Sequence, residues 1–264
     1  MAKMTSKFRA ALAVAATWPA CALADAALDA LVAAYPGHLS GYDEKDLLWK
    51  DGTRMAHSDN RTNKTFEQLL DTPTVKDQFA FAYPLGGAVE APAVNEDPGR
   101  IRNEAFFLKM YGDCRKGEVA KRLKPVTWLP GRGGGAVMAT TVNGINQRLA
   151  QVSKELETLP ASMTRYLVPS AGTYNCRTIV NTRRLSVHAF AAAIDINSRA
   201  ADYWEWSKGR VGKIVWRNRI PGAIADIFER HGFIWGAKWY HFDSMHFEFR
   251  PEILALAKQG WPQQ

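Results

Sequence analysis

Cysteine is scarce: three in 264 residues, at Cys21, Cys114 and Cys176. That excludes a small disulfide-stapled scaffold and a zinc site built from thiolates, so any metal here must use histidine and carboxylate. No apolar run approaches the ~20 residues that cross a bilayer as a helix. No period of 20–50 residues recurs, which rules out solenoids and propellers. Basic residues are in excess but not gathered. The 34 Lys and Arg against 26 Asp and Glu give a net charge of +8, yet they build no arm or basic helix, which argues against a nucleic-acid binder. With 47% hydrophobic and 23% charged residues the chain is neither disordered nor low in complexity. Its length suits one large domain or two small ones, able to bury a full core without staples.

The first 24 residues have the make-up of a secretory leader. Lys3, Lys7 and Arg9 form a basic start, Ala10–Ala16 is a short uncharged apolar run, and Ala22-Leu23-Ala24 is a small-x-small cleavage site before Asp25. A lipid anchor on Cys21 is disfavoured by Trp18, which stands where a small aliphatic residue is needed. An exported soluble protein follows, with a mild positive charge suited to an acidic partner such as a cell-wall polymer. In that oxidising compartment the two remaining cysteines, Cys114 and Cys176, are expected to pair.

Beyond the leader, residues 25–100 mix short helical and strand patterns with turn signals, and residues 25–130 read as a wrapping region. Residues 131–264 read as the catalytic region, the two forming one compact unit. Ala91–Arg100 is an irregular connector, and the glycine-rich Gly131–Gly135 a surface loop. Val142, Ile145, Leu149, Val152, Leu156 and Leu159 recur every three or four residues, predicting a helix opened by Thr140 or Thr141 and stopped by Pro160. Further helices follow Pro221, ending at Gly232, and Pro251. Strand-like runs are Thr178–Val180, Leu185–His188, Ala193–Ile196, Phe233–Trp235 and Trp239–Phe249. Short connections favour antiparallel pairing, so the fold class is α+β, with helices packed on a central antiparallel sheet.

Chemistry gathers in two of those runs. Leu185–Asn197 carries Ser186, His188 and Asp195, and Trp239–Glu248 carries His241, Asp243, His246 and Glu248, all in otherwise apolar sequence. A bare carboxylate in such surroundings is costly unless paired, hydrogen-bonded or bound to metal. His188, Asp195 and His246 supply the three protein ligands of a catalytic zinc site, with His188 on a strand, a tight alanine-rich turn, and Asp195 on the returning strand. Asp243, three residues before His246, is placed to act as general base. Each residue taken singly could equally be a hydrogen-bonded core histidine or a turn-capping aspartate.

Ser186-x-His188-x6-Asp195 followed by Asp243-x-x-His246 resembles the M15 family of zinc D-Ala-D-Ala carboxypeptidases and dipeptidases, over about 75 residues. Ala171–Arg177 and Phe233–Gly236 also resemble its bacterial branch. The resemblance implies a hedgehog/DD-peptidase-like fold, one zinc ion on His188, Asp195 and His246, Asp243 as base, and a peptidoglycan peptide as substrate. It also implies a catalytic and substrate-binding role for Arg177, whose planar fork suits a carboxylate or a developing oxyanion. Ser186 is a candidate substrate contact. Glu248 shares a strand face with His246 and is a candidate to orient it, or else to pair with Arg250. His241 falls outside the family's ligand set, and His231 suits a helix end. One position departs from the family: Ala191 stands where glycine is usual, three residues after the first ligand. The rivals are an endopeptidase cutting an interior stem or cross-link bond, and a metal-stabilised wall-binding module without turnover. Neither the bond cut nor the oligomeric state is legible.

Overall fold

The structure, a computed structural model, describes residues 20–207 and 213–261. Most of the leader expected over residues 1–24 therefore lies outside the described residues. The chain enters through helix α1 (Ala20–Ala34) and a meander of β1 (Leu39–Tyr42), β2 (Asp46–Trp49) and β3 (Arg54–Ala56). Helix α2 (Phe66–Asp71) opens on a capping box, in which Thr65 and Gln68 satisfy each other's backbone N–H. Helix α3 (Glu104–Tyr111) is capped by Asn103 and buries Phe106, Phe107, Met110 and Tyr111. A hairpin of β4 (Leu123–Thr127) and β5 (Ala136–Thr140) turns through the glycine-rich loop.

Helix α4 (Ile145–Leu156) starts later than the apolar periodicity suggests. Asn143 and Gly144 take positive φ angles of 54° and 68°, which break the helical path between Thr141 and Ile145. From there Ile145, Leu149, Val152 and Leu156 are buried as the spacing requires. The short α5 (Thr164–Leu167), strand β6 (Ala193–Asp195), helix α6 (Gly222–Arg230), strands β7 (Phe233–Trp235) and β8 (His246–Phe249), and helix α7 (Pro251–Lys258) complete the order. Buried apolar side chains from Ala27 to Leu256 join in one continuous core. Helix α1 packs on α7, where the Tyr35 hydroxyl donates to Glu252 at 2.7 Å.

The architecture is mixed helix and antiparallel sheet, but the expected single central sheet is divided into three small ones, ordered β1-β2-β3, β4-β5 and β6-β8-β7. Two of them, β1-β2-β3 and β4-β5, come from residues 39–140, and two of the expected strands are cut short. The run Trp239–Phe249 pairs only over its last four residues, because the chain first doubles back on Gly236. The Asp243 N–H donates to the Gly236 carbonyl at 3.0 Å, and a Cβ on Gly236 would lie 2.5 Å from the Asp243 carbonyl oxygen, so only glycine fits. Leu185–His188 is likewise no strand. Val187–Phe190 forms a 3-10 turn, ended by Ala191 in the left-handed region at φ 53°, ψ 32°. These two interruptions set the site: one places His188, the other Asp243.

Candidate active site

Asp195 and His246 face each other because β6 and β8 pair antiparallel with those residues as direct partners. Along β8, His246 and Glu248 share one face. Phe247 is on the other, stacked on Phe228 with ring centroids 3.8 Å apart. The 3-10 turn brings His188 to the same point. His188 Nε2 lies 3.2 Å from Asp195 Oδ1 and 3.2 Å from His246 Nδ1, which lies 2.9 Å from Asp195 Oδ1. Two imidazole nitrogens and one carboxylate oxygen thus form a nearly equilateral triangle. Around a tetrahedral ion with metal–nitrogen bonds near 2.0 Å the expected edge is about 3.3 Å, so these donors fit one such ion. Each histidine is held from behind. His188 Nδ1 is 2.9 Å from the Thr173 carbonyl oxygen, and His246 Nε2 is 3.4 Å from Glu248 Oε2. Protons on those outer nitrogens leave the inner lone pairs pointing into the triangle.

The electrostatics are those of competing charges in a small space. Burial alone would raise the Asp195 carboxyl, but His188 and His246 outweigh it and hold it well below the usual carboxylate range. Burial would lower His246, yet its hydrogen bonds to Asp195 and Glu248 push it up to about 9. Asp243 goes the other way: burial and then the Asp195 charge push its carboxyl up. Its Oδ1 is buried with no hydrogen-bond partner among the described residues. An unsatisfied carboxylate oxygen beside three convergent donor atoms is an arrangement that can accept a proton.

All four residues line an open cleft of about 620 Å³, together with Arg177 and Ser186. The last two are opposite each other at the base of a short hairpin, where the Ser186 N–H donates to the Arg177 carbonyl at 3.0 Å. The Arg177 side chain is exposed, its one hydrogen bond among the described residues going to the neighbouring Thr178 carbonyl at 3.4 Å, so its guanidinium is available to a ligand in the cleft. Ser186 has local work: its Oγ accepts the His188 N–H at 3.3 Å and caps the turn that carries this histidine. Cys176, next to Arg177, is disulfide-bonded to Cys114, which ties the arginine's segment to the turn after α3. His231 caps α6, its Nε2 2.6 Å from Glu155 Oε1, away from the cleft.

Residues 180–249, about a quarter of the chain, match the model of the D-alanyl-D-alanine carboxypeptidase family. The match supports an M15-family peptidase. The matched segment holds His188, Asp195, Asp243 and His246, the residues whose geometry has just been described, and the family is one of hydrolases acting on D-Ala-D-Ala. No curated protein and no solved structure gives a significant match.

The matched segment does not contain all of the site. Glu248 is held mainly by Arg102, whose Nε donates to Oε1 at 2.7 Å and whose Nη2 donates to Oε2, with Arg250 at 3.4 Å. These partners keep Glu248 well below the usual carboxylate range despite full burial. Arg100 lines the cleft, and Arg100 and the buried Asp97 hold the backbone at His241. Sequence reading passed over all three because they lie in or beside the connector Ala91–Arg100, 141 or more residues from their partners. The available signal was slight: Arg100-Ile101-Arg102 alternates charge with an apolar residue, and Ile101 is buried.

Proposed function

We propose that this chain is an exported zinc metallopeptidase that hydrolyses peptidoglycan stem peptides, as a D,D-carboxypeptidase or dipeptidase. The observation that carries the reading is the triangle of His188 Nε2, Asp195 Oδ1 and His246 Nδ1 with Asp243, whose Oδ1 has no hydrogen-bond partner among the described residues, in the same cleft. Two nitrogens and one carboxylate oxygen are the donor set of catalytic zinc, and M15 peptidases are zinc enzymes. One zinc ion on these residues would supply Lewis acidity to the scissile carbonyl and acidify the attacking water.

The chain's own residues do the rest. Asp243 accepts a proton from the water as it attacks and returns it to the leaving amine, a role suited to a carboxyl whose affinity for protons is raised. Arg177 pairs with the substrate's carboxylate or with the charge that develops on the carbonyl oxygen. Glu248, fixed by Arg102, holds the His246 ring. Ser186 contacts the substrate only through whatever donor capacity its cap leaves free. Residues 1–24 are the leader, 25–130 wrap the catalytic region 131–264, and the Cys114–Cys176 disulfide suits an oxidising compartment. Among the described residues no helix is long and apolar enough to cross a membrane.

The test is direct. Purified mature protein is incubated with defined muropeptides, with and without a chelator, and products are identified by mass. Release of a terminal D-Ala means a carboxypeptidase, and of an intact dipeptide a dipeptidase; both must stop with chelator. An interior cut would replace the reading with endopeptidase. Zinc binding without any product would leave a wall-binding module.

A further inference from the structure

Three guanidiniums besides Arg177 line the cleft: Arg100, Arg102 and Arg184. The same three also line a side cavity of about 60 Å³, which shares Leu70 and Ile179 with the cleft. One water needs about 10–15 Å³, so this cavity has room for a carboxylate group. Arg102 is committed to Glu248. Arg100 Nη1 donates to the His241 carbonyl at 2.9 Å and lies 3.4 Å from Asp97 Oδ2. Arg184 differs. Its side chain is only 23% exposed, and its Nε, 3.4 Å from Asp71 Oδ1, is buried without a hydrogen-bond partner among the described residues. Asp71 is 65% exposed, and an ion pair so open to water is weak. Glu104, the other carboxylate at the cavity, accepts the Leu185 N–H at 3.0 Å. Burial, with repulsion from Arg100 and Arg102, lowers the proton affinity of Arg184 against the pull of Asp71, yet a guanidinium stays charged. A half-enclosed cation among like charges is costly unless an anion joins it.

The backbone sets where that anion would come from. The Ser186 N–H donates to the Arg177 carbonyl at 3.0 Å and the Ile179 N–H to the Arg184 carbonyl at 2.9 Å. Residue 177 therefore lies opposite 186 and residue 179 opposite 184, and all four side chains share the face that lines the cleft. Residues two apart on a strand are about 6.6–6.8 Å apart, the span of two residues in an extended peptide. With Arg177 on a terminal carboxylate, Arg184 falls level with the residue two before it. In a stem pentapeptide that is the third residue, a diamino acid that either keeps a second carboxylate of its own or, as lysine, has none. We propose that the side cavity, through Arg184 and Arg100, takes this third-residue carboxylate, which makes the enzyme selective for stems whose diamino acid is a dicarboxylate. This rests on the peptidase reading above. Arg100 and Arg102 lie outside residues 180–249, so the cavity is not a property of the matched segment alone.

The experiment compares zinc-loaded wild type and Arg184→Gln on three stem pentapeptides ending in D-Ala-D-Ala. One has the third-residue carboxylate free, one has it amidated, and one has the free carboxylate of the second residue amidated instead. The wild type should prefer the free third-residue carboxylate over its amide by about 10- to 10²-fold in kcat/KM, carried by KM, the worth of a charge-assisted hydrogen bond. In Arg184→Gln that preference should fall to near one. A ratio taken within one protein is unaffected by any loss of folded material. Asp71→Asn removes the competing carboxylate and should raise the preference about two- to fivefold. A wild type that hydrolyses both third-residue forms equally overturns the proposal, as does one that responds only to the second-residue amide, or an Arg184→Gln protein that keeps the preference. A wild type that keeps its zinc but releases nothing from any of the three overturns the peptidase reading instead. Calorimetric titration of the same peptides then decides the cavity: it must show the same preference and its loss in Arg184→Gln, and equal affinities overturn the cavity too.

Discussion

Two groups of buried charge lie on opposite sides of β7 and β8, and they behave differently. In one, Glu229 accepts from the Tyr83 hydroxyl and the Gly86 N–H, each at 2.8 Å, and from the buried Lys238 ammonium. Lys238 also donates to the Pro84 carbonyl, and the Trp235 N–H donates to the Tyr83 oxygen at 2.8 Å. Each of these groups has a partner, and the network fastens residues 83–86 to α6. In the other, three acceptors converge within 3.2 Å of one another and Asp243 Oδ1 has no partner among the described residues. Burial is common to both. What separates a structural charge cluster from a chemical one is whether its polar atoms satisfy each other or leave a place for something else.

The sharpest way to break that comparison is to remove a converging donor. His246→Ala should abolish stoichiometric zinc and activity together, as metal analysis and peptide hydrolysis on one sample would show. Asp243→Asn should keep the zinc and lose about 10²–10⁴-fold in turnover, the worth of general-base assistance. It should also stabilise the metal-free protein. A carboxyl raised by burial costs stability as pH rises above its unfolded value, so the variant's advantage should be present at neutral pH and vanish in acid. An Asp243→Asn protein without zinc would make Asp243 a ligand and overturn its assignment as base.

The satisfied network should give the opposite pattern. Glu229→Ala leaves Lys238 buried without its counter-charge, and breaking such a pair costs about 3–5 kcal/mol. Denaturant unfolding should record that loss, while whatever folds still binds one zinc. If zinc is lost in step with stability, the two clusters are not independent.

Proton competition at His246 has a smaller and graded effect. Its conjugate acid is held up to about 9, so zinc binding at lower pH must expel that proton. Apparent zinc affinity should rise about tenfold per pH unit up to that value and then level off. The metal-free protein should show the counterpart. The protonated ring's stabilising contribution is complete below the unfolded histidine value and lost as pH climbs through about 9. Calorimetry in buffers of different ionisation enthalpy would count the proton; a flat affinity profile across this range would show that His246 is not the competing group.

The converging cluster was the more legible of the two in sequence. Histidine and aspartate inside apolar runs are conspicuous, and the period of two along β8 already placed His246 and Glu248 on one face. The satisfied network was invisible because Tyr83, Glu229 and Lys238 are ordinary in their local sequence, and Tyr83 meets Glu229 only across 146 positions. The same holds for Arg102, which clasps Glu248 across 146 positions. Local pattern also misread geometry where single residues decide it. The doubling back at Gly236 leaves only the last four residues of Trp239–Phe249 paired, and the turn ended by Ala191 puts His188 in a 3-10 turn where a strand was expected.

Ala191 offers the smallest and most local test. It joins the turn carrying His188 to the strand carrying Asp195, and it is buried in a left-handed conformation that glycine adopts freely. The Cβ there costs about 1–2 kcal/mol, and the extra freedom glycine gains when unfolded takes back about 0.5–1 kcal/mol. Ala191→Gly should therefore stabilise the protein by about 0.5–1 kcal/mol, or roughly 1–4 °C in melting temperature for a chain of this size. The backbone bonds at this position, from the Ala191 N–H to the His188 carbonyl and from the Thr140 N–H to the Ala191 carbonyl, involve no side chain and persist. Zinc content and turnover should accordingly stay at wild-type levels. A variant that melts lower would mean that the buried methyl contributes more by packing than it costs in backbone strain. One that melts higher but binds zinc less tightly would mean that the strained turn itself holds His188 in register with Asp195.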